Sequence, residues 1–390
     1  MLREPLASAQ VPLFITRFGL SDRTAIGVQT RGLLDHFTEY AHLYWHESLF
    51  DPAFARSHRI ESLPFARIPH LKRDNAPARL LSKAGSGYWR NEQPTLKLKA
   101  FLSSLRQGIS AVYLAPIDAR DARRMRAVVE ILDLPFVVHL WDFLDEGLDD
   151  PSTKWLIGNA RHVFCLNQQL LDSVSSIQTG ASILRFTRAQ ASVTPQYPNG
   201  KEMKVVIMGD IFPYLTGVKC LIRAVQILRK TSDSYRIEYV GNAKTLRRCG
   251  IDAHEFISAT GFVVDASGRD QALANCAIGF MPGPTAAPDV DPRSKYSIPS
   301  RILDFMAVGL PVLGTVHSES ATYSFCREMG IDRGLLSEDE GLLAEAIRAL
   351  ADEANWSRSR TRSLAAFEKH MKSYDIGRLK AFLNSGSATS

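Results

Sequence analysis

Short apolar runs alternate along this chain with segments whose apolar residues recur every three to four positions, and the alternation plays out twice. In the first half, Val11 to Phe18 (VPLFITRF) reads as a strand. A loop carrying Gly19 and Gly27 follows, and a helix runs through GVQTRGLLDHF. AHLYWH reads as a second strand, Leu96 to Arg106 as a helix, Ile109 to Pro116 as a strand and ARDARRMRAVVEIL as an amphipathic helix. Pro135 to Asp142 and His162 to Asn167 complete the strands of this half. Residues 187–202 are polar, with two prolines and a glycine, which is the composition of a linker. The pattern then restarts. KVVIMGD is a strand, and GVKCLIRAVQILRK is a helix with an apolar stripe. YRIEYVG, ISATGFV, AIGFMPG and PVLGTV are further strands separated by helices, and Glu338 to Phe382 is helical.

Strand and helix in alternation predict parallel sheets covered by helices, an α/β fold. Two such series joined by a linker predict two Rossmann-like units with a ligand cleft between them. The boundaries implied are residues 1–190 for the first unit, 191–202 for the linker and 203–372 for the second unit. Residues 373–390 form a terminal helix that returns to the first unit. The length of 390 residues suits two domains rather than one core.

Composition adds little until it is mapped. The stretch from Asp51 to Arg106 holds eleven Lys and Arg against four acids, a local charge of +7, whereas the whole chain carries +6. Phe54, Phe65, Tyr88, Trp89 and Phe101 are interleaved with these cations. An anionic partner for this stretch follows, with an anionic membrane surface as one such partner. No nucleic-acid motif accompanies the charge, so nucleic acid is not expected. No apolar run reaches the ~20 residues that span a bilayer. No secretory signal precedes the first strand. The five cysteines, Cys165, Cys220, Cys249, Cys276 and Cys326, show no paired spacing and read as core residues of a reduced protein. The location expected is cytoplasmic, with peripheral attachment at the inner face of the membrane.

The segment Lys295 to Thr315 (KYSIPSRILDFMAVGLPVLGT) carries the most chemical information. Ser297 or Ser300 is placed to cap a helix, Pro299 suits its first turn and Arg301 sits inside that turn. Gly309 ends the helix, and Pro311 opens a buried strand. A helix N-terminus with free N–H groups and an arginine fork makes an anion site suited to a diphosphate. The alternative is that Arg301 only pairs with Asp304 on the helix surface.

Pro299, Ser300, Arg301, Ile302, Leu303, Asp304, Phe305, Met306, Ala307, Val308, Gly309, Leu310, Pro311 and Val312 resemble the hallmark of the family-four retaining glycosyltransferases, close to P-S-K/R-(aliphatic)-x-E-(Y/A)-(M/L)-A-x-G-x-P-V. MGDIFPYLTGVKCLIRAVQIL, YRIEYVG, TGFV with DQALANCAIGFMPG, GLLAEAIRALADE and the FEKHMKSYD ending extend the resemblance over the second half. PFVVHLWD extends it more weakly into the first. The resemblance implies a GT-B architecture and a sugar transferred from a nucleotide-sugar donor to a glycan or lipid-linked acceptor, with retention. It implies that Arg301, Lys219 and the N–H groups near Ser300 stabilise the leaving diphosphate and that Asp304 holds the ribose. Gly209 and Gly217 would let the loop backbone approach the donor. Asp142 stands as the catalytic residue on the acceptor side, the alternative being a helix cap or loop ion pair, with Gly19, Gly27, His139 and Trp141 near it, although His139 reads more readily as a core histidine.

Three departures stand out. The glutamate that the family usually places eight residues before Asp304 is Tyr296, and the arginine and lysine of the first loop of the second domain read Asp210 and Thr216. Lys219, one helical turn further, is the substitute expected. The histidine the family places before Asp142 reads Trp141, with His139 two residues earlier.

Asp289-Val290-Asp291 matches a metal-holding DxD triplet, but its place in the loop before Arg301 argues for no metal site. Asp149-Asp150 reads as a solvated turn before Pro151. No GxGxxG follows the first strand and no GxSxG occurs, so no nicotinamide, flavin or other cofactor is expected. The rival readings are a non-catalytic subunit that binds glycan or nucleotide sugar, and a nucleotide-sugar epimerase or glycosyl phosphorylase on the same scaffold.

Overall fold

The computed structural model describes residues 11–18, 25–37, 40–46, 89–90, 93–141, 148–199, 202–261, 263, 265–288 and 290–384. The chain divides into two compact units, Met1–Phe186 with Asp375–Ser390, and Thr187–Tyr374.

In unit 1 the elements are β1 (Val11–Phe18), α1 (Ala25–Leu34), β2 (Ala41–His46), a short hairpin of β3 (Trp89–Arg90) and β4 (Gln93–Pro94), α2 (Leu96–Leu105), β5 (Ile109–Ala115), α3 (Ala119–Leu132), β6 (Phe136–Leu140), α4 (Pro151–Asn159), β7 (His162–Cys165), α5 (Gln168–Val174) and β8 (Ala181–Ile183). The sheet order is β2-β1-β5-β6-β7-β8, and its pairings are parallel. Every residue of β5, β6 and β7 is buried, as a parallel sheet covered on both faces requires. Helix α3 shows how the sequence makes this happen. Ala122, Met125, Val128, Val129 and Leu132 form its buried stripe, and each large apolar side chain contributes ~1.5–3 kcal/mol on burial. Asp118 caps its start by accepting from the Asp121 N–H, and Asp133 ends it at φ 51°. The last helix, α14 (Ile376–Asn384), packs on β1, β5 and β6 of this unit. It buries Leu379 and Leu383, accepts a hydrogen bond from Ser110 and stacks Phe382 on His162.

Unit 2 contains β9 (Met203–Met208), α6 (Leu215–Arg229), β10 (Tyr235–Val240), α7 (Ala243–Arg248), β11 (Ile257–Ala259), α8 (Ala266–Ala274), β12 (Ile278–Pro282), α9 (Pro292–Tyr296), α10 (Arg301–Val308), β13 (Val312–Thr315), α11 (Ala321–Met329), β14 (Leu335–Leu336), α12 (Glu340–Ala349) and α13 (Glu353–Ser373). Its parallel sheet has the order β11-β10-β9-β12-β13-β14. The core under α6 and α12 gathers Val205, Ile207, Val218, Leu221, Val225, Leu228, Ile237, Leu343 and Ile347.

Two local readings change. Asp149-Asp150 is not a free turn: the Asp150 carboxylate caps α4, accepting from the N–H groups of Ser152 and Thr153. The helical stretch from Glu338 to Phe382 is three helices. Asp339 caps α12, Asp352 caps α13, and Asp375 turns the chain into α14 by accepting from Gly377 N–H.

Candidate active site

In an open parallel sheet a ligand crevice forms where the strand order reverses, outside the carboxyl ends of the strands. In unit 2 that point lies between β9 and β12, and the residues following β9 are Gly209, Asp210 and Ile211. Gly209 has φ 79°, a conformation that L side chains rarely adopt, and open space where a Cβ would stand. Its carbonyl accepts from the Tyr239 hydroxyl at 2.8 Å. Asp210 is exposed, and its carboxylate accepts from the Phe212 N–H, closing a small turn.

Helix α10 brings a cation to this loop. The Arg301 guanidinium donates through Nη2 to the Asp210 carbonyl at 2.9 Å and lies 5.3 Å from the Tyr214 ring centroid. Its Nη1 is buried and makes no hydrogen bond among the described residues. Burial lowers the pKa of Arg301, which Tyr214, Asp210, Tyr239 and Asp304 partly offset, and a guanidinium stays charged under such a shift. A buried donor of a charged group without a partner carries a desolvation penalty that an anionic ligand would relieve.

The other expected residues fall differently. Ser300 occupies the N-cap of α10 but makes no capping hydrogen bond through its side chain. Ser300 already has helical angles (φ −58°, ψ −24°) rather than the extended angles of a side-chain cap, and the Ser297 carbonyl accepts from Thr322. Gly309 ends the helix at φ 85° as predicted. Asp304 does not pair with Arg301. It is held by Arg188, Nε to Oδ1 at 2.8 Å, and faces Arg269, Nε to Oδ1 at 3.4 Å. Gly217 does not line an open loop. It lies inside α6, where a Cβ would collide with Thr315 Oγ1, so its bareness serves helix–strand packing. Lys219 is exposed on α6. It acts with Asp210 and Arg248 on the Cys249 thiol, whose pKa burial pushes up. No contact joins Lys219 to Arg301 among the described residues. Tyr296, at the position of the missing glutamate, is buried.

In unit 1 the expected acceptor-side residues divide. Gly19 and Asp142 lie outside the described residues, as do Asp289 and most of the basic stretch. Gly27 is part of α1. His139 and Trp141 are core residues. His139 Nε2 bonds the Leu184 carbonyl at 2.8 Å, its Nδ1 bonds the Tyr113 hydroxyl at 2.8 Å, and that hydroxyl accepts from Trp141 Nε1 at 3.1 Å. A carbonyl only accepts, so Nε2 carries a proton. Burial takes the His139 pKa down to about 3. The strand order of unit 1 reverses between β1 and β5. There Arg17 bonds Asp118 and Asp121, the Asp121 pair at 2.9 Å, and burial raises the Asp121 pKa against the pull of Arg17. Reading by motif missed Arg17, Arg188, Arg269 and Asp270. Their signal is spatial: charged residues from distant segments meeting at strand and helix ends.

The cysteines are all buried and free, with no disulfide. No helix of the described residues is long and apolar enough to cross a membrane. A cavity of about 890 Å³ in unit 2, lined by Tyr197, Asn199, Glu202, Lys204, Gln271 and Asn275, opens at the start of β9, the end away from Gly209.

With this geometry in place, comparison with known proteins is informative. Residues 202–353 match the glycosyl transferases group 1 family. The match spans β9 through the start of α13 and so contains Gly209, Arg301 and Asp304. The chain is similar in structure to HepE of Anabaena in complex with UDP and glucose (TM-score 0.64, 13% identity, covering 97% of this chain and 100% of that one). It is similar to a glycosyltransferase of Rickettsia africae (0.57, 9%, 95% and 99%) and to the lipopolysaccharide outer core galactosyltransferase WaaB (0.54, 13%, 93% and 98%). At these identities the likeness shows the fold, which is the GT-B architecture of two Rossmann-like units. No curated protein sequence matches the chain significantly.

Proposed function

We propose that this chain is a glycosyltransferase that takes a sugar from a nucleotide-sugar donor, and that unit 2 binds the donor. The observation that carries the proposal is Arg301. A guanidinium with one buried, unpartnered nitrogen stands beside an open, positive-φ glycine at the point where the sheet of unit 2 reverses. In glycosyl transfer the C1–O bond to the diphosphate breaks, an oxocarbenium-like sugar forms, and negative charge grows on the leaving diphosphate. Preorganised donors aimed at that charge are the main source of rate. Arg301 supplies such donors here, and Gly209 leaves room for the phosphates. Asp304 accepts from the ribose. Lys219 adds positive charge from the exposed face of α6, and no metal or cofactor is required. UDP is the nucleotide favoured, because the neighbouring HepE structures hold UDP and UDP-glucose. Retention, and a glycan or lipid-linked acceptor bound by unit 1 with Asp142 as the acceptor-side catalytic residue, follow from the family-four resemblance. The protein would then act at the cytoplasmic face of a membrane.

A second reading, a subunit that binds the nucleotide sugar without turning it over, is favoured by the replacements at Asp210, Thr216 and Tyr296. A thermal-shift screen against UDP, GDP, ADP and their sugars tests the binding half of both readings. A ligand at a hundred times its dissociation constant adds about 2.7 kcal/mol. Stabilisation by one nucleotide and its sugars, with free nucleotide released over time, supports the transferase. Stabilisation without release supports the binding subunit, and no stabilisation by any of them refutes both.

A further inference from the structure

Arg188 follows the boundary between the units by two residues, and its side chain is only 9% exposed. Nε pairs with Asp304 Oδ1 at 2.8 Å, Nη1 donates to the Asp304 carbonyl at 3.3 Å, and Nη2 pairs with Asp270 of α8. Arg269, also on α8, approaches the same Oδ1 at 3.4 Å. The side chains of Arg269, Asp270 and Asp304 are 11%, 12% and 15% exposed. Two arginines and two aspartates thus form a nearly buried, neutral quartet around the start of α10. Both cations make their closest approach at Oδ1 of Asp304.

We propose that Arg188 is the positioning residue for nucleotide recognition, fixing the Asp304 carboxylate so that Oδ2 is presented to the ribose hydroxyls. The proposal rests on the donor reading above and deepens it. An aspartate is one methylene shorter than the glutamate of the resembled motif, so its reach depends more on where its carboxylate is held. The Arg188 fork grips side chain and main chain of one residue together, which fixes the side-chain torsion in a way a single contact does not. A carboxylate oxygen has two lone pairs, so Oδ2 alone can accept from both members of a vicinal diol. Asp270 balances the charge of Arg188, so the cluster of two arginines and two aspartates carries no net charge. Asp304 also lies three residues beyond Arg301, on the neighbouring position of the same helix side, so ribose and diphosphate contacts are one helical step apart.

The contrast with a merely structural quartet is the ribose. Calorimetric affinities for UDP, 2′,3′-dideoxyuridine diphosphate and inorganic pyrophosphate separate the two, measured on the wild type, Arg188→Met, Arg188→Lys and Asp270→Asn. The wild type is expected to favour UDP over the dideoxy analogue by about 10-fold or more, as hydrogen bonds to a charged group allow. Arg188→Met should lose most of that preference while its pyrophosphate affinity changes less than about 2-fold. Arg188→Lys, which keeps the charge without the fork, should lose an intermediate share, and Asp270→Asn a smaller one. An Arg188→Met protein that melts earlier but keeps the full preference overturns the proposal. If that variant does not fold, an unchanged preference in both Arg188→Lys and Asp270→Asn overturns it instead. A wild type that binds UDP no better than pyrophosphate contradicts the donor reading itself, which is a different failure.

Discussion

The guanidinium of Arg301 donates to the main-chain carbonyl of Asp210 at 2.9 Å, across 91 residues of sequence. Position 210 is where the resembled family carries an arginine. A cation from helix α10 therefore stands beside the loop whose own residue at that place is an aspartate. This relationship makes the replacement at 210 compatible with a diphosphate site.

Asp304 is committed to an ion pair as well as to its proposed ligand, which makes a stability prediction. Asp304→Asn removes one of the two carboxylates that pair with the buried Arg188, leaving Asp270, and is expected to cost about 3 kcal/mol, the low end for breaking a buried pair. Arg188→Met should cost a similar amount, and the double variant clearly less than the sum, with a coupling of ~1–3 kcal/mol. Urea unfolding of the four proteins checks this. Strict additivity would show that the 2.8 Å contact has no energetic content.

Acid should destabilise unit 1 in a specific window. His42 and His139 are both pulled down to about 3 by burial, from 6.5 for a free imidazole. Between these values the unfolded chain binds more protons than the folded one, so stability rises with pH. The contribution is complete above about pH 6.5 and is lost as the pH falls towards 3. From pH 7 to pH 5 each histidine is expected to remove about 2 kcal/mol of unfolding free energy. His139→Gln should flatten that slope, and an unchanged slope in the variant would refute the assignment.

Gly217→Ala tests whether the bareness of Gly217 serves helix–strand packing. The new methyl collides with Thr315 Oγ1, and overpacking of this kind costs ~1–3 kcal/mol. Gly217→Ala with Thr315→Ala should recover most of the loss. Reduced stability rescued by the second change places Gly217 in packing, whereas normal stability with weakened donor affinity would return it to the ligand loop.

The basic stretch between Asp51 and Arg106 should bind anionic vesicles at low salt and release them as salt rises. Changing Lys72, Arg73, Lys97 and Lys99 to Gln should reduce sedimentation with the vesicles. A wild type that stays in the supernatant with anionic vesicles at low salt points to a soluble acceptor.

Much of the fold is legible in the periodicity. The helix predicted over ARDARRMRAVVEIL is α3, Ala119–Leu132, because its apolar stripe and its Asp118 cap are both local signals. Five strands of each sheet are legible as short apolar runs, whereas β8 (Ala181–Ile183) and β14 (Leu335–Leu336), short and partly exposed strands at the sheet edges, were not. Helix α4 was not, because its start depends on how one aspartate orients toward two N–H groups, which polar composition does not distinguish from a turn. At the site, Arg301 and Gly209 were legible because a motif and a strand end mark them. The partners of Asp304 were not. Arg188 lies 116 residues away in a stretch of linker composition, and only folding brings it to the helix.

If Arg301 stabilises a departing diphosphate, nucleotide release measures that role directly. With the nucleotide sugar that the wild type uses, in excess chelator, steady-state release by Arg301→Ala is expected to fall by roughly 10²-fold or more. The variant should keep a wild-type melting profile, and Arg301→Lys should retain part of the rate. Release by Arg301→Ala at the wild-type rate, or turnover by the wild type that vanishes in chelator and returns with Mn²⁺, would contradict the account.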